Sequence, residues 1–403
     1  MTEIAFSIYG DQPSPFEEPS SLLQEFQSLH HIDVRVTRMA WDEAWPKLLN
    51  FALYGGGPDI SQIGAIWTSS LVAMNALRPF TAQEIATLGG TDAFFVPTWQ
   101  NAIFPGQSDA WGIPFTAYTY IVLYRRDLLQ HAGIAEQTAF ESAEAMGETL
   151  RRLQAAGIKS PWIVPTGKPY RARVHIVASW IWGAGGDFVS DDEQRVLFDQ
   201  LRARAGMSAF FDLYRYLSPF DHDLTYDECL RRFALGDAAV TITGSSLHPA
   251  LTSGAASQVL ENLGAAVMPG VPWIGGSNLV VWREAQMHPD RERAALLLAD
   301  WLVSPSTQIK HAALSNTVPA RSEALPYVQF EPASLGKVYD QALRTGRSYK
   351  PARIWVRMLN DLSRSFDAIT ADILADATLG VGQTLSAHLD HLADRFNLML
   401  SGY

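Results

Sequence analysis

The chain is poor in cysteine: Cys229 is the only one in 403 residues. That excludes an intrachain disulfide and any cysteine-based metal site. Charge is also sparse, at 18% of residues, with 31 Lys and Arg against 42 Asp and Glu. The net charge of −11 and isoelectric point near 5.4 argue against a nucleic-acid or anionic-membrane partner, either of which needs a basic face. No apolar run approaches the roughly 18 residues a membrane helix requires. The start, Met1 to Phe6, lacks the charged and apolar segments of a signal peptide, which leaves a cytosolic protein or a mature chain with a new initiating methionine. Signatures of common enzymes are missing as well. There is no His-Glu-x-x-His, no Gly-x-Ser-x-Gly elbow and no phosphate loop ending in Lys-Ser/Thr. His30-His31 point different ways, Asp221-His222-Asp223 reads as a polar loop and Asp191-Asp192-Glu193 as a solvated turn or helix start, so no metal is expected. A carboxylate pair for glycoside hydrolysis stays open, because spacing alone does not exclude it.

What the chain does contain is apolar and aromatic: 47% hydrophobic residues, 12 Trp and 13 Tyr. Its length exceeds one ordinary core and fits two domains. Residues 4–9 and 32–36 alternate as strands, and residues 19–29 and 41–54 carry helical spacing. Then follows Gly55-Gly56-Gly57-Pro58-Asp59-Ile60, which stops the helix and opens a short apolar strand. This β-α-β-α-β order predicts a parallel sheet layered with helices. Gln62, Gly64 and Trp67 fall at the strand's C-terminal end, where open α/β sheets hold ligands. Strands are expected over 118–124, 238–243 and 278–282, and helices over 138–156, 290–303 and beyond 332; Trp180 and Trp182 share a face if their stretch is extended. Pro- and Gly-rich segments near 112–115, 270–276 and 316–319 read as crossings between two domains. They predict one lobe from 1–113 plus 275–316 and a second from 114–274 plus 317–403.

Several motifs in order resemble a known family. They are Gly57-Pro58-Asp59-Ile60 with Gly64 and Trp67; Trp111-Gly112-Ile113-Pro114-Phe115 with Leu123-Tyr124-Arg125-Arg126-Asp127-Leu128; and Ala132-Gly133-Ile134. They continue with Phe233, Gly236 and Ala238 to Gly244, with Gly275-Gly276-Ser277-Asn278, with Ala294 to Ser304-Pro305, and with Val318-Pro319-Ala320-Arg321. Over about residues 4–325 the chain resembles the type 1 extracellular solute-binding proteins of ABC importers, the maltose-binding-type group. It departs from them at Ser245-Ser246, where many relatives carry an aromatic residue, and at Arg125-Arg126. The resemblance implies a two-lobed α/β periplasmic-binding-protein fold of the type II kind, each lobe a mostly parallel sheet flanked by helices. It also implies a ligand held between lobes by hinge closure, delivery to membrane permease subunits, no enzymatic activity, no cofactor, a monomer, and a place in the periplasm or at the cell surface.

A sugar-like ligand needs aromatic planes for its C–H faces and fixed polar groups for its hydroxyls. Residues of those types at strand ends and turns are Asp11, Gln12, Trp41, Gln62, Trp67, Phe115, Tyr118, Trp180, Trp182, Ser245, Trp273, Asn278, Tyr349 and Arg353. Each has a plainer reading as a cap, turn, core or surface residue. Arg321, Arg347 and Arg353 would serve an anionic solute. Alternatives to carbohydrate import are a carbohydrate-active enzyme, a binder of phosphorylated polyols, amines or peptides, and a binding protein for a signalling receptor.

Overall fold

The computed structural model describes residues 2–10, 14–17, 22–104, 108–219, 221–245, 249–252, 254–376 and 378–401. They fall into two compact units. The first holds Met1–Tyr118, Ile274–Phe330 and Arg347–Val356; the second holds Thr119–Trp273, Glu331–Gly346 and Arg357–Tyr403. The passages therefore lie at 118/119, 273/274, 330/331, 346/347 and 356/357, against the expected 113/114, 274/275 and 316/317.

The first unit is built on β1 (Thr2–Tyr9), β2 (Ile32–Met39), β3 (Ile60–Gly64), β4 (Leu77–Arg78) and the start of β5 (Ile113–Arg125). Strands β1 and β2 run parallel over their whole length, and β1 pairs parallel to β3 through Phe6 and Ile60. The helix Trp41–Tyr54 joins β2 to β3, burying Ala44 and Leu48 at helical spacing and placing Asp42 and Glu43 in the first turn, where the helix dipole favours them. Gly55 and Gly56 then adopt positive φ, and the Gly56 N–H donates to Glu284 at 2.9 Å. Asp59 enters β3 fully buried: its carboxylate accepts from the Ala5 N–H at 2.8 Å and pairs with Arg291 at 2.8 Å.

Four later strands are β6 (Trp162–Ile163), β7 (Val240–Gly244), β8 (Leu263–Val267) and β9 (Ile274–Trp282), followed by β10 (Val318–Pro319). In the first unit β9 lies antiparallel to β3, with Ile60 opposite Val281 and Gly64 opposite Ser277. Alternation splits its side chains: Leu279 and Val281 join the core under Phe6 and Leu298, while Val280 and Trp282 join the opposite core with Leu48, Ile63 and Trp67. Strand β10 pairs with Ala117 and Thr116 of β5, which keeps the segment after 316 in the first unit.

In the second unit the strand order among the described residues is β6-β7-β5-β8, parallel between β6 and β7 and antiparallel in the other two pairs. This unit is thus less parallel than the family resemblance implies. Residues 179–183 are not extended; they end the buried helix Ala172–Gly183. Its neighbour Leu201–Phe211 approaches so closely that a Cβ on Gly206 would stand 2.4 Å from the Trp180 carbonyl oxygen. The C-terminal helices Trp355–Ala375 and Val381–Leu400 complete this unit's core through Phe211–Phe366 and Phe198–Phe396 edge contacts.

Candidate functional site

The C-terminal ends of the parallel strands in the first unit carry an aromatic cluster. Tyr9 ends β1, Trp41 follows β2, and Trp67 follows β3. Tyr9 meets Trp41 and Trp67 edge-on at 4.9 and 5.7 Å, and the two indoles tilt against each other at 5.2 Å. Trp45 backs Trp67 at 6.0 Å. Trp67 is buried, whereas Trp41 is 42% exposed, so the cluster presents one indole to solvent on a rigid base. Gly64 lies close under Trp67: a methyl there would stand 3.3 Å from the ring, which would have to shift by a few tenths of an ångström.

Beside this face sits a chain of neutral hydrogen-bonding groups. Gln62 Nε2 donates to Ser277 Oγ at 3.0 Å, and Ser277 Oγ shares a hydrogen bond with Thr116 Oγ1 at 2.6 Å. The Tyr9 phenol also bonds Ser277; burial pushes its pKa well above the ordinary tyrosine value, so it stays protonated. A hydroxyl has one proton to give and two lone pairs. Ser277, itself buried, is therefore filled by these partners and fixes the orientation of Gln62 and Tyr9.

The remaining candidates in this unit divide by environment. Asn278 is buried and donates to Thr68 Oγ1 at 3.1 Å. Phe115 is fully buried in the core, in one cluster with Phe16 and His311. Tyr118 is half-buried, Tyr349 is buried against Trp355 at 4.3 Å, and Arg353 is exposed. Arg321 is committed to Glu323, the Val303 carbonyl and the Phe94 ring. Asp11 and Gln12 lie outside the described residues, as does Ser246.

In the second unit Trp273 stacks on His175 at 4.1 Å with 17° between planes, and Tyr120 approaches at 5.9 Å. The Trp273 backbone is fixed at both ends: its N–H donates to Ser179 Oγ at 3.1 Å and its carbonyl accepts from Thr119 Oγ1 at 2.9 Å. Burial pushes the His175 pKa down to about 3, which keeps this imidazole neutral at ordinary pH. Ser245 is buried, donating its N–H to the Thr119 carbonyl and accepting the Thr119 N–H on Oγ. Trp180 is core, edge-on to Phe210 at 5.0 Å, and Trp182 donates to Asp187 at 3.1 Å. Because 180 and 182 lie on a helix, they do not share a face.

Asp221 is fully buried and pairs with Arg232 at 2.6 Å, and Asp192 caps a tight turn by accepting from Ser190 and Gln194. Among the described residues no group of three His, Cys, Asp or Glu is placed to hold a metal ion, and no helix is long and apolar enough to cross a membrane.

The sequence profile of bacterial extracellular solute-binding proteins matches residues 21–334. The chain belongs to that family. Its fold is that of two-lobed solute-binding proteins, as solved structures show. The sugar-binding protein MalE of Xanthomonas citri superposes with a TM-score of 0.84 at 18% identity, over 100% of this chain and 98% of that one. Maltose-bound MalE3 of T. maritima gives 0.77 at 18% identity, covering 99% and 100%. The cyclic α-maltosyl-1,6-maltose binding protein of Arthrobacter globiformis gives 0.77 at 16%, covering 100% of both. No curated protein sequence matches the chain. Sequence reasoning missed Tyr9 at the end of β1, Thr116 within β5, Ser277 within β9 and His175 beneath Trp273. Tyr9 closes the alternating run 4–9, so its place at the strand end was already marked in the pattern.

Proposed function

We propose that this family member is the solute-binding component of an ABC importer, and that its solute is a carbohydrate or similarly hydroxylated molecule. The observation that carries the reading is the half-exposed Trp41 indole, braced by Tyr9 and Trp67 beside the fixed amide of Gln62. A sugar ring pairs an apolar C–H face with hydroxyl edges, and a flat indole flanked by neutral donors and acceptors complements both. The maltose and cyclic maltosyl-maltose named for two similar structures are of this class. In this reading Trp41 and Gln62 touch the solute, while Tyr9, Trp67 and Ser277 hold them in place. Tyr118, Trp273, Arg353, Asp11 and Gln12 are further candidate contacts. Phe115, Asn278, Trp180, Trp182, Ser245 and Tyr349 act as supports.

The protein works without chemical conversion, as a monomer in the periplasm or at the cell surface, and hands its solute to membrane permease subunits. Hinge closure belongs to this reading, since a ligand shifts a conformational equilibrium by its preference for one state. Small-angle scattering with and without solute tests it. The binding test is a calorimetric screen of mono-, di- and oligosaccharides, polyols and their phosphates, followed by Trp41→Ala. A specific sugar should bind without turnover, and Trp41→Ala should weaken it by about 1–3 kcal/mol, the range of stacking and buried polar contacts. Binding by none of the panel refutes the carbohydrate reading, and unchanged affinity in Trp41→Ala refutes the placement of the site.

A further inference from the structure

A groove of about 500 Å³ opens wholly within the second unit, and none of the candidate solute contacts lines it. Its size lies in the range of small-molecule sites. Its lining is consistent in character. Tyr124 and Phe140 give an aromatic floor, their rings 4.8 Å apart and tilted by 31°, and β8 adds apolar side chains along one side. The charged side chains on the lining are both carboxylates, Glu136 and Glu141, and no lysine or arginine is among them.

Glu136 Oε1 accepts from the Tyr124 hydroxyl at 2.6 Å and from Arg126 at 2.9 Å. Burial pushes its carboxyl up, but these two donors outweigh burial and hold it below the usual carboxylate range. Glu141 is exposed and has no hydrogen-bond or ion-pair partner among the described residues. On the facing side, Gln341 and Thr345 belong to the last turns of the helix Ser334–Thr345, whose C-terminal carbonyls carry partial negative charge. Two cations of the neighbouring elements are already engaged, Arg126 by Glu136 and the Leu263 carbonyl, and Arg344 by Asp340 at 2.9 Å.

We propose that this groove is a second ligand site, for a small organic ammonium ion with an apolar stem. Carboxylates, a helix C-terminus and aromatic faces all attract a cation, and the aromatic faces with the β8 side chains also accept an alkyl chain beside it. A neutral alcohol of the same length gains only the apolar part, and a carboxylate of that length is repelled.

The test titrates the full chain with hexylammonium, hexan-1-ol and hexanoate, following binding by ligand-observed NMR. Saturable one-to-one binding of hexylammonium is expected, at least tenfold tighter than hexan-1-ol, with none for hexanoate. Glu141→Gln should weaken the amine about three- to tenfold, and Gln341→Lys, which places a cation at an exposed position on the rim, should abolish binding. Both positions are exposed, so folding is spared. No saturable amine binding, equal binding of the alcohol, or unchanged affinity in either variant overturns the proposal.

Discussion

Asp59 offers the sharpest separation of fold from binding. It stands in the Gly-Pro-Asp motif that opens β3, yet its carboxylate points to Ala5 and Arg291 rather than to the strand ends where Gln62 and Trp67 lie. Asp59→Ala removes the acceptor of the Ala5 N–H, and an unmet buried N–H costs about 1–3 kcal/mol. It also removes the ion pair to Arg291, whose side chain is 41% exposed, so solvent screening leaves that pair worth about 1 kcal/mol. Together these give about 2–4 kcal/mol, or a fall in Tm of roughly 5–12 °C for a unit of this size. Asp59→Asn keeps an oxygen for the Ala5 N–H and lets Arg291 turn to water, so it should cost only about 1 kcal/mol. Scanning calorimetry measures both variants, and solute titration below the transition should give wild-type affinity for each. The reasoning fails if Asp59→Ala costs less than about 1 kcal/mol, if the two variants are equally unstable, or if either one binds solute more weakly while folded.

Three further outcomes follow from the geometry. Ser277→Ala frees Gln62, Tyr9 and Thr116 from their shared hydroxyl, and should lower solute affinity by about 1–2 kcal/mol by calorimetry. Burial between Phe16 and Phe115 pushes the His311 pKa down to about 4 from 6.5. The unfolded chain therefore binds this proton first: its share of stability is full above pH 6.5 and declines as pH falls towards 4, by on the order of 3 kcal/mol, and His311→Phe should make that part of the profile shallower by urea unfolding, leaving the share of His175. Gly206→Ala places a methyl 2.4 Å from the Trp180 carbonyl oxygen, where backbone must move, and should cost about 3 kcal/mol or abolish expression of folded protein.

Local pattern made the first unit legible. The alternating runs, the helix Trp41–Tyr54 and the glycine stop before β3 stand as the sequence predicts, because each is set by residues within a few positions. The segment holding Trp180 and Trp182 stayed open between strand and helix for the opposite reason. It is apolar on every side, as expected of a buried helix, and such a run carries no period by which helix and strand can be told apart. Among the candidate residues, Trp41 stood out by following β2 and Gln62 by lying in the short strand after the glycine stop. Ser277 did not, because its role comes from the register that sets it opposite Gly64 more than two hundred residues away in the chain. Asn278, chosen beside it, turns to Thr68 instead, since successive strand residues face opposite ways.

The interleaving of the two units bears on how the chain can be made. A ribosome releases residues 1–118 long before β9, yet β3 has no partner on that side until Ile274–Trp282 emerges, and Leu279, Val280, Val281 and Trp282 supply both cores. The early segment must wait with its apolar sheet faces uncovered while the intervening stretch is synthesised. Pairings of such long sequence separation are slow to form and leave intermediates prone to association. The same threading means that no single cut yields two self-sufficient halves. Fragments ending at residue 118 or 273 should require the missing strand, supplied as a separate peptide, before the first core closes.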